Sequence, residues 1–325
     1  MLHLSSHPPT NNLRFLLLRA ALSAVLLIQV ACVSGTPPLQ PPYLREQGDF
    51  FMQAGIESFG QFNLALAEHQ FTQAKNFYSR YEDYLGITNA LLNLANTQLT
   101  AGNYDAANLS ILQANIFIQR YQLDQHNIYR DMLLSSIYLA TSNQIELEKL
   151  FATHSNLFDG DLASLAMLSL LTNRVRYAQL YADDSSSWIS VYKKHITKLN
   201  DPNLNARLQR FIAWQAYLDN DEESGVQHFS GALEYYRNQA NPSALMATHL
   251  EWADVSSQKQ NSDRAIQQYE KALFLSMSNN HKHNGIRAII GMQQIVKLTG
   301  NPEKLQQMNE WTQQLNALPD ITPSR

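Results

Sequence analysis

The chain of 325 residues has a single cysteine, Cys32, so no disulfide can form within it and no site built on several cysteines can exist. Positive charge is not in excess. The 24 Lys and Arg stand against 28 Asp and Glu, which excludes the basic footprint that nucleic-acid binding requires. Charge of either sign is scarce, at 16% of residues, and Asn and Gln carry much of the polarity instead. Between Tyr43 and Leu318 only Pro202, Pro242 and Pro302 interrupt the chain. Strand signals are as scarce as proline, while apolar residues recur at helical spacing throughout. There is no glycine-rich phosphate loop and no nucleophile elbow. What is present in quantity is apolar residue, 45% of the total, enough to bury a core and to exclude gross disorder.

The N-terminus reads as an address. Residues 1–19 lack acids and carry Arg14 and Arg19, and the following "AALSAVLLIQVAC" is apolar over most of its length. A membrane-crossing helix needs about 20 apolar residues, so this run is too short to span. A positive start, a short apolar core and small residues at its end describe a secretory signal peptide. The next residues, "SGTPPLQPP", cannot continue a helix. Val30-Ala31-Cys32 resembles the end of a bacterial lipobox, with Gln29 where that pattern usually has Leu. The resemblance implies a signal peptide over residues 1–31, lipidation of Cys32, and a Pro-rich tether over residues 32–46. Val33 after the cysteine, rather than Asp, implies the periplasmic face of the outer membrane. Ordinary cleavage after Ala31 or Gly35, giving a soluble periplasmic or secreted protein, remains the alternative. Loss of the signal would leave 22 basic against 28 acidic residues, a net of −6, so a covalent anchor rather than charge would hold the protein at lipid. Extended chain rising about 3.1 Å per residue would set the body roughly 30 Å off the bilayer.

Repeats follow. In residues 89–114, Leu91, Leu94 and Ala95 share a helix face, Gly102-Asn103 breaks the helix, and Ala107, Ile111 and Ala114 form a matching face. The same small and aromatic positions recur as Gly55, Ala67, Phe71 and Ala74, as Ala213, Gly225, Phe229 and Ala232, and as Ala253, Ala265, Tyr269 and Ala272. The intervals Gly55 to Ala95 and Ala213 to Ala253 are both 40 residues, and Pro202 and Pro242 keep the same spacing. A fixed period is the mark of a solenoid. The pattern resembles the tetratricopeptide repeat, in a longer variety than the common form of about 34 residues. It implies an all-α fold: an α-solenoid of antiparallel helical hairpins wound into a superhelix, over residues 47–318, with a tail at 319–325. Residues 157–200 fit poorly and read as irregular, Glu148 stands where Ala is expected, and the last hairpin, 286–316, reads as a cap.

Catalytic and metal chemistry is hard to find. His281 and His283 are the only close histidine pair; a metal would need a third ligand beside them, and they read as a solvated loop. Ser185, Ser186 and Ser187 adjoin Asp183 and Asp184, but turn and N-cap chemistry explains them and no histidine is placed to activate a hydroxyl. The expectation is no metal, no cofactor and no catalysis, with a site in the irregular region as the remaining enzymatic alternative. The resemblance implies instead a concave groove lined by the first helix of each hairpin. Counting from matched positions places Asn89, Asn93 and Asn96 on it, then Arg130, Arg207, Arg210, Trp214, Tyr217, Arg287 and Gln294, with Glu251 and Asp254 between. Asn amides both donate and accept, which suits a peptide backbone, and the arginines suit carboxylates. Trp214 and Tyr217 read equally as core. The function so implied is a non-enzymatic, lipid-anchored periplasmic adaptor for a protein or extended peptide in envelope assembly; a soluble peptide-sensing module is the alternative.

Overall fold

The computed structural model describes residues 43–159, 164–181, 185–279 and 281–317. Cys32, the signal segment, most of the tether, Asp183, Asp184 and the tail lie outside the described residues. Those described form helices and one 3-10 turn, with no strand among them. Seven antiparallel hairpins succeed one another. They are α1 (Tyr43–Gly60) with α2 (Leu64–Tyr81), α3 (Tyr84–Thr100) with α4 (Tyr104–Arg120), and α5 (Asn127–Ala140) with α6 (Gln144–Thr153). After a short α7 (Ser155–Asp159) come α8 (Leu165–Tyr181) with α9 (Ser185–Thr197), α10 (Pro202–Leu218) with α11 (Glu222–Asn238), α12 (Pro242–Gln258) with α13 (Ser262–Ser278), and α14 (Lys282–Thr299) with α15 (Pro302–Ala317). Residues 43–46, expected in the tether, are the first turn of α1. The stretch read as irregular contains an ordinary hairpin, α8 with α9.

One turn chemistry, repeated, sets the period. A left-handed residue ends successive helices at Phe62, Glu82, Gly102, Gln122 and Ser142, and again at Asn200, Asn220, Ala240 and Gln260. Within each run these positions are 20 residues apart. The residue that follows sends its N–H back to a carbonyl of the preceding helix, as in Asp83 to Tyr78 at 3.0 Å, Asn103 to Gln98 at 2.8 Å and Asn241 to Tyr236 at 3.0 Å. That is the 6→1 bond of a Schellman C-cap. At most of these turns the same residue also starts the next helix with its side chain: Asp83 accepts from Gly86 N–H at 2.9 Å, Asn241 from Ala244 at 3.0 Å and Asn261 from Arg264 at 3.3 Å, whereas Asn103 makes no such bond. Since one Asx residue closes one helix and caps the next, the turn is three residues long. Added to helices of 17 residues, it yields the half-period. Pro202 and Pro242 occupy the first helical turn, where the missing N–H costs nothing.

The hairpins close over small residues. Ala95, Ala213 and Ala253 are fully buried, and Ser135 and Val175 complete their series through the middle of the chain. In α6 the buried position is Leu147, not Glu148; Glu148 points outward and accepts the Tyr177 hydroxyl at 2.6 Å. Large side chains such as Phe71, Phe211 and Phe229 fill the space between small positions. Each such burial contributes about 1.5–3 kcal/mol.

Contacts beyond sequence neighbours show that the solenoid curls until its ends meet. The Phe62 ring lies 5.1 Å from the His281 ring, and the Tyr104 hydroxyl is 2.9 Å from His283 Nε2. The turns of the first two hairpins thus sit against the start of the last. His281 and His283, read as a solvated loop, form this seam, because the accumulated rotation of the intervening hairpins brings α1–α4 over them. Beside the seam a cavity of about 570 Å³ lies between Phe62, Asn63, Asn241, Pro242 and His281.

Candidate functional site

The concave wall is built from α3, α5, α8, α10, α12 and α14, and its two halves differ. In the N-terminal half the expected amides are partly buried and hydrogen-bonded within the protein. His126 Nε2 lies 2.8 Å from Asn89 Oδ1, Asn93 Nδ2 donates to the Asn89 carbonyl at 3.0 Å, and Asn96 hydrogen-bonds the Tyr129 hydroxyl. Burial pushes Tyr129 up to about 12, so that hydroxyl stays protonated. Arg130, expected to face the groove, is committed between helices: it donates to Asn115 at 2.7 Å, Asn127 at 2.8 Å and Asp131 at 2.7 Å. Burial would raise the Asp131 carboxyl, but the bonds from His154 and Arg130 hold it below its ordinary value.

In the C-terminal half the wall is ionic. Glu251 on α12 accepts from Arg210 on α10 in a two-pronged pair, with Nε at 2.7 Å from one oxygen and Nη2 on the other. The second oxygen also takes Arg176 of α8 at 2.7 Å. Burial would raise Glu251, yet Arg176 and Arg210 hold it below the usual carboxylate value. Next along, Asp254 accepts the Tyr269 hydroxyl at 2.7 Å and pairs with Arg287. Among the described residues Arg207 makes one long hydrogen bond, 3.5 Å to Thr172. Gln294 faces solvent.

The aromatic pair goes to the core. Trp214 is 1% exposed and Tyr217 3% exposed. Tyr217 packs where a Cβ on Gly225 would stand, 2.5 Å from its ring, and its hydroxyl takes Trp252 Nε1 at 2.7 Å and Arg264 at 2.9 Å. Both residues are therefore supports of the wall, not its surface. Arg176 was not among the expected groove residues, although it lies two 40-residue periods after Asn96. Carrying the phase through residues 157–200 would have found it.

Other chemistry is thin. Among the described residues no three His, Cys, Asp or Glu are grouped to hold a metal. Ser185 is buried and donates to Gln215. No helix among the described residues is long and apolar enough to cross a membrane. Fold and wall together define a helical-repeat solenoid with an amide-lined half and an ion-paired half. The chain matches no protein-family model and no curated protein.

Proposed function

We propose that this chain is a non-enzymatic adaptor that holds an extended peptide, free or as part of a partner protein, along its concave wall. The observation that carries this reading is the recurrence of polar side chains at one phase of the repeat: Asn89, Arg207 and Arg287 share one position, and Asn96, Arg176 and Asp254 another. Polar groups on a single face of an otherwise apolar packing surface are costly unless partnered, and peptide backbone can partner amides whatever its side chains. The hairpin pattern and its resemblance to tetratricopeptide repeats support the same reading, with envelope assembly as the setting and Cys32 as the lipid anchor to the outer membrane.

Two measurements test it. A photo-reactive residue at Asn96 should cross-link a bound peptide that a second, unlabelled peptide displaces, whereas one at Leu109, which is exposed on α4, should not. Equal labelling at both positions would remove the groove from the proposal. For the anchor, the mature protein should show a mass starting at Cys32 with added acyl groups, lost in Cys32→Ser. An unmodified thiol would shift the reading to a soluble peptide-sensing module.

A further inference from the structure

We propose that the crevice beside the seam is a binding site for a neutral saccharide, and that a bound saccharide ties the two ends of the solenoid together. Turn residues line this crevice rather than the concave wall, so it stands independently of the peptide groove.

Position comes first. Three turns meet there: residues 60–63 between α1 and α2, 239–242 between α11 and α12, and 279–281 between α13 and α14. The first belongs to the opposite end of the chain. Contacts of Phe62 with His281 and of Tyr104 with His283 bring it to the other two. The crevice is therefore complete only in the closed solenoid, and a ligand touching all three turns selects that state. Its volume, about 570 Å³, is that of a small-molecule pocket.

Chemistry then selects the ligand. Among the described residues that line the crevice none is Asp, Glu, Lys or Arg. His281 is neutral near pH 7, because burial and then the His283 charge hold its imidazole below the ordinary value. A charged ligand would enter without a counter-charge. Polar groups of both kinds remain. Asn63 and Asn241 spend their oxygens on the N–H groups of Leu66 and Ala244, and their NH2 groups make no bond among the described residues. Asn279 is the reverse: its NH2 donates to the Leu275 carbonyl at 2.8 Å, and its oxygen makes no bond among the described residues. A carboxylate or phosphate suits only the first kind and an ammonium only the second, whereas a hydroxyl both donates and accepts. The Asn caps, together with Pro242, also take backbone donors that an anion at these helix starts would need.

Phe62 supplies an apolar face. It is half-buried and left-handed, with φ of +60°, a costly conformation for a bulky side chain. Among the described left-handed residues it alone is aromatic. Its ring stands beside the amides, where the C–H face of a sugar can pack while the hydroxyls turn to Asn and Gln. Walls on three sides suit a compact ring better than an extended chain.

The test titrates the full chain by calorimetry with two neutral sugars, maltotriose and di-N-acetylchitobiose. A glucuronate-terminated disaccharide and a blocked alanine tripeptide serve as controls. At least one neutral sugar should bind, about tenfold or more tighter than either control. Gly60→Leu should abolish that binding, since a Cβ at Gly60 meets nothing within 4 Å and a larger side chain fills the crevice. Circular dichroism should show this variant folded, because leucine favours a helix over glycine. Phe62→Asn, which suits a left-handed turn, should weaken the sugar by about tenfold, the scale of one packed ring. Bound sugar should slow hydrogen exchange at residues 60–63 and 279–283 together. No binding of either sugar, or undiminished binding in Gly60→Leu, overturns the site. Tighter binding of the charged sugar or of the peptide overturns the ligand class. Slowed exchange at only one of the two turns overturns the tie between the ends.

Discussion

The two halves of the concave wall share one backbone plan and satisfy their polar groups by different means. Around α3 the wall is built from amides: Asn89, Asn93 and Asn96 bond to an imidazole, a carbonyl and a phenol. From α8 to α14 the wall is ionic, with Glu251 and Asp254 among arginines. The difference teaches that the repeat fixes where a side chain points but not how much removing it costs. A neutral hydrogen bond contributes roughly 1 kcal/mol net, whereas removing one partner of a buried ion pair strands a charge.

The largest break in that comparison should come from Glu251→Ala, which leaves Arg176 and Arg210 facing each other without a counter-ion. A loss of about 3–5 kcal/mol is expected, against about 1 kcal/mol for Asn93→Ala. Urea midpoints of the two variants measure this directly. Similar losses would mean that the ionic half is more hydrated than its burial indicates.

Acid should separate the halves next. Burial holds His249 at about 4, where its imidazole is neutral and bonded to Gln268 at 2.8 Å; the nearby charges of Lys271 and Arg237 push the same way. A base whose folded value lies below its unfolded value near 6.5 binds more protons when unfolded. Its contribution is therefore complete above about pH 6.5 and is lost as pH falls toward 4, by about 3 kcal/mol in all. At the seam His281 and His283 shift in the same direction, through burial first, then the His283 charge for His281 and the Arg287 charge for His283, so the closed turn should also loosen as pH falls below 6.5. In the other half Asp131 is held below 3.8, and its contribution disappears only at lower pH. Denaturant midpoints between pH 7 and 4.5 should fall for the native chain and much less for His249→Gln. Parallel decline of the two would place the acid sensitivity elsewhere.

The repeat, its period and the register of most hairpins were legible because their causes are local. A small residue is needed where two helices cross, and Gly55 with Ala95, and Ala213 with Ala253, display that need in two pairs each 40 residues apart. The half-period was legible too, in Asn63, Asp83, Asn103, Asn143, Asp201, Asp221, Asn241 and Asn261, although glycine and proline drew attention first. Glu148 was one residue out of register because Leu147 fills a position normally held by a smaller side chain. Arg130 could not be placed from α5 alone, since its partner Asn115 belongs to α4. Nor could Trp214 and Tyr217 be sorted into core or groove, because the two surfaces adjoin on α10. The seam had no local signature at all. It exists only after seven hairpins have turned the chain back on itself.

One turn position sharpens the comparison at smaller cost. Gly102, in the turn within a hairpin, and Ala240, in the turn between two hairpins, both occupy left-handed sites, with φ of +83° and +47°. A non-glycine residue there carries strain of roughly 1–2 kcal/mol, so Ala240→Gly should relieve part of it while loosening the unfolded chain, a net gain of at most about 1 kcal/mol. Gly102→Ala should do the reverse and more, since its Cβ would stand 2.2 Å from His283 Nδ1 and push the seam apart. The strain alone is worth roughly 1–2 kcal/mol, and opening the seam adds to it. Small-angle scattering distinguishes the two contributions: Gly102→Ala should enlarge the folded particle, and Ala240→Gly should leave it unchanged while raising Tm. If Gly102→Ala lowered Tm without any change in size, strain in the turn would account for the glycine and the seam would not depend on it.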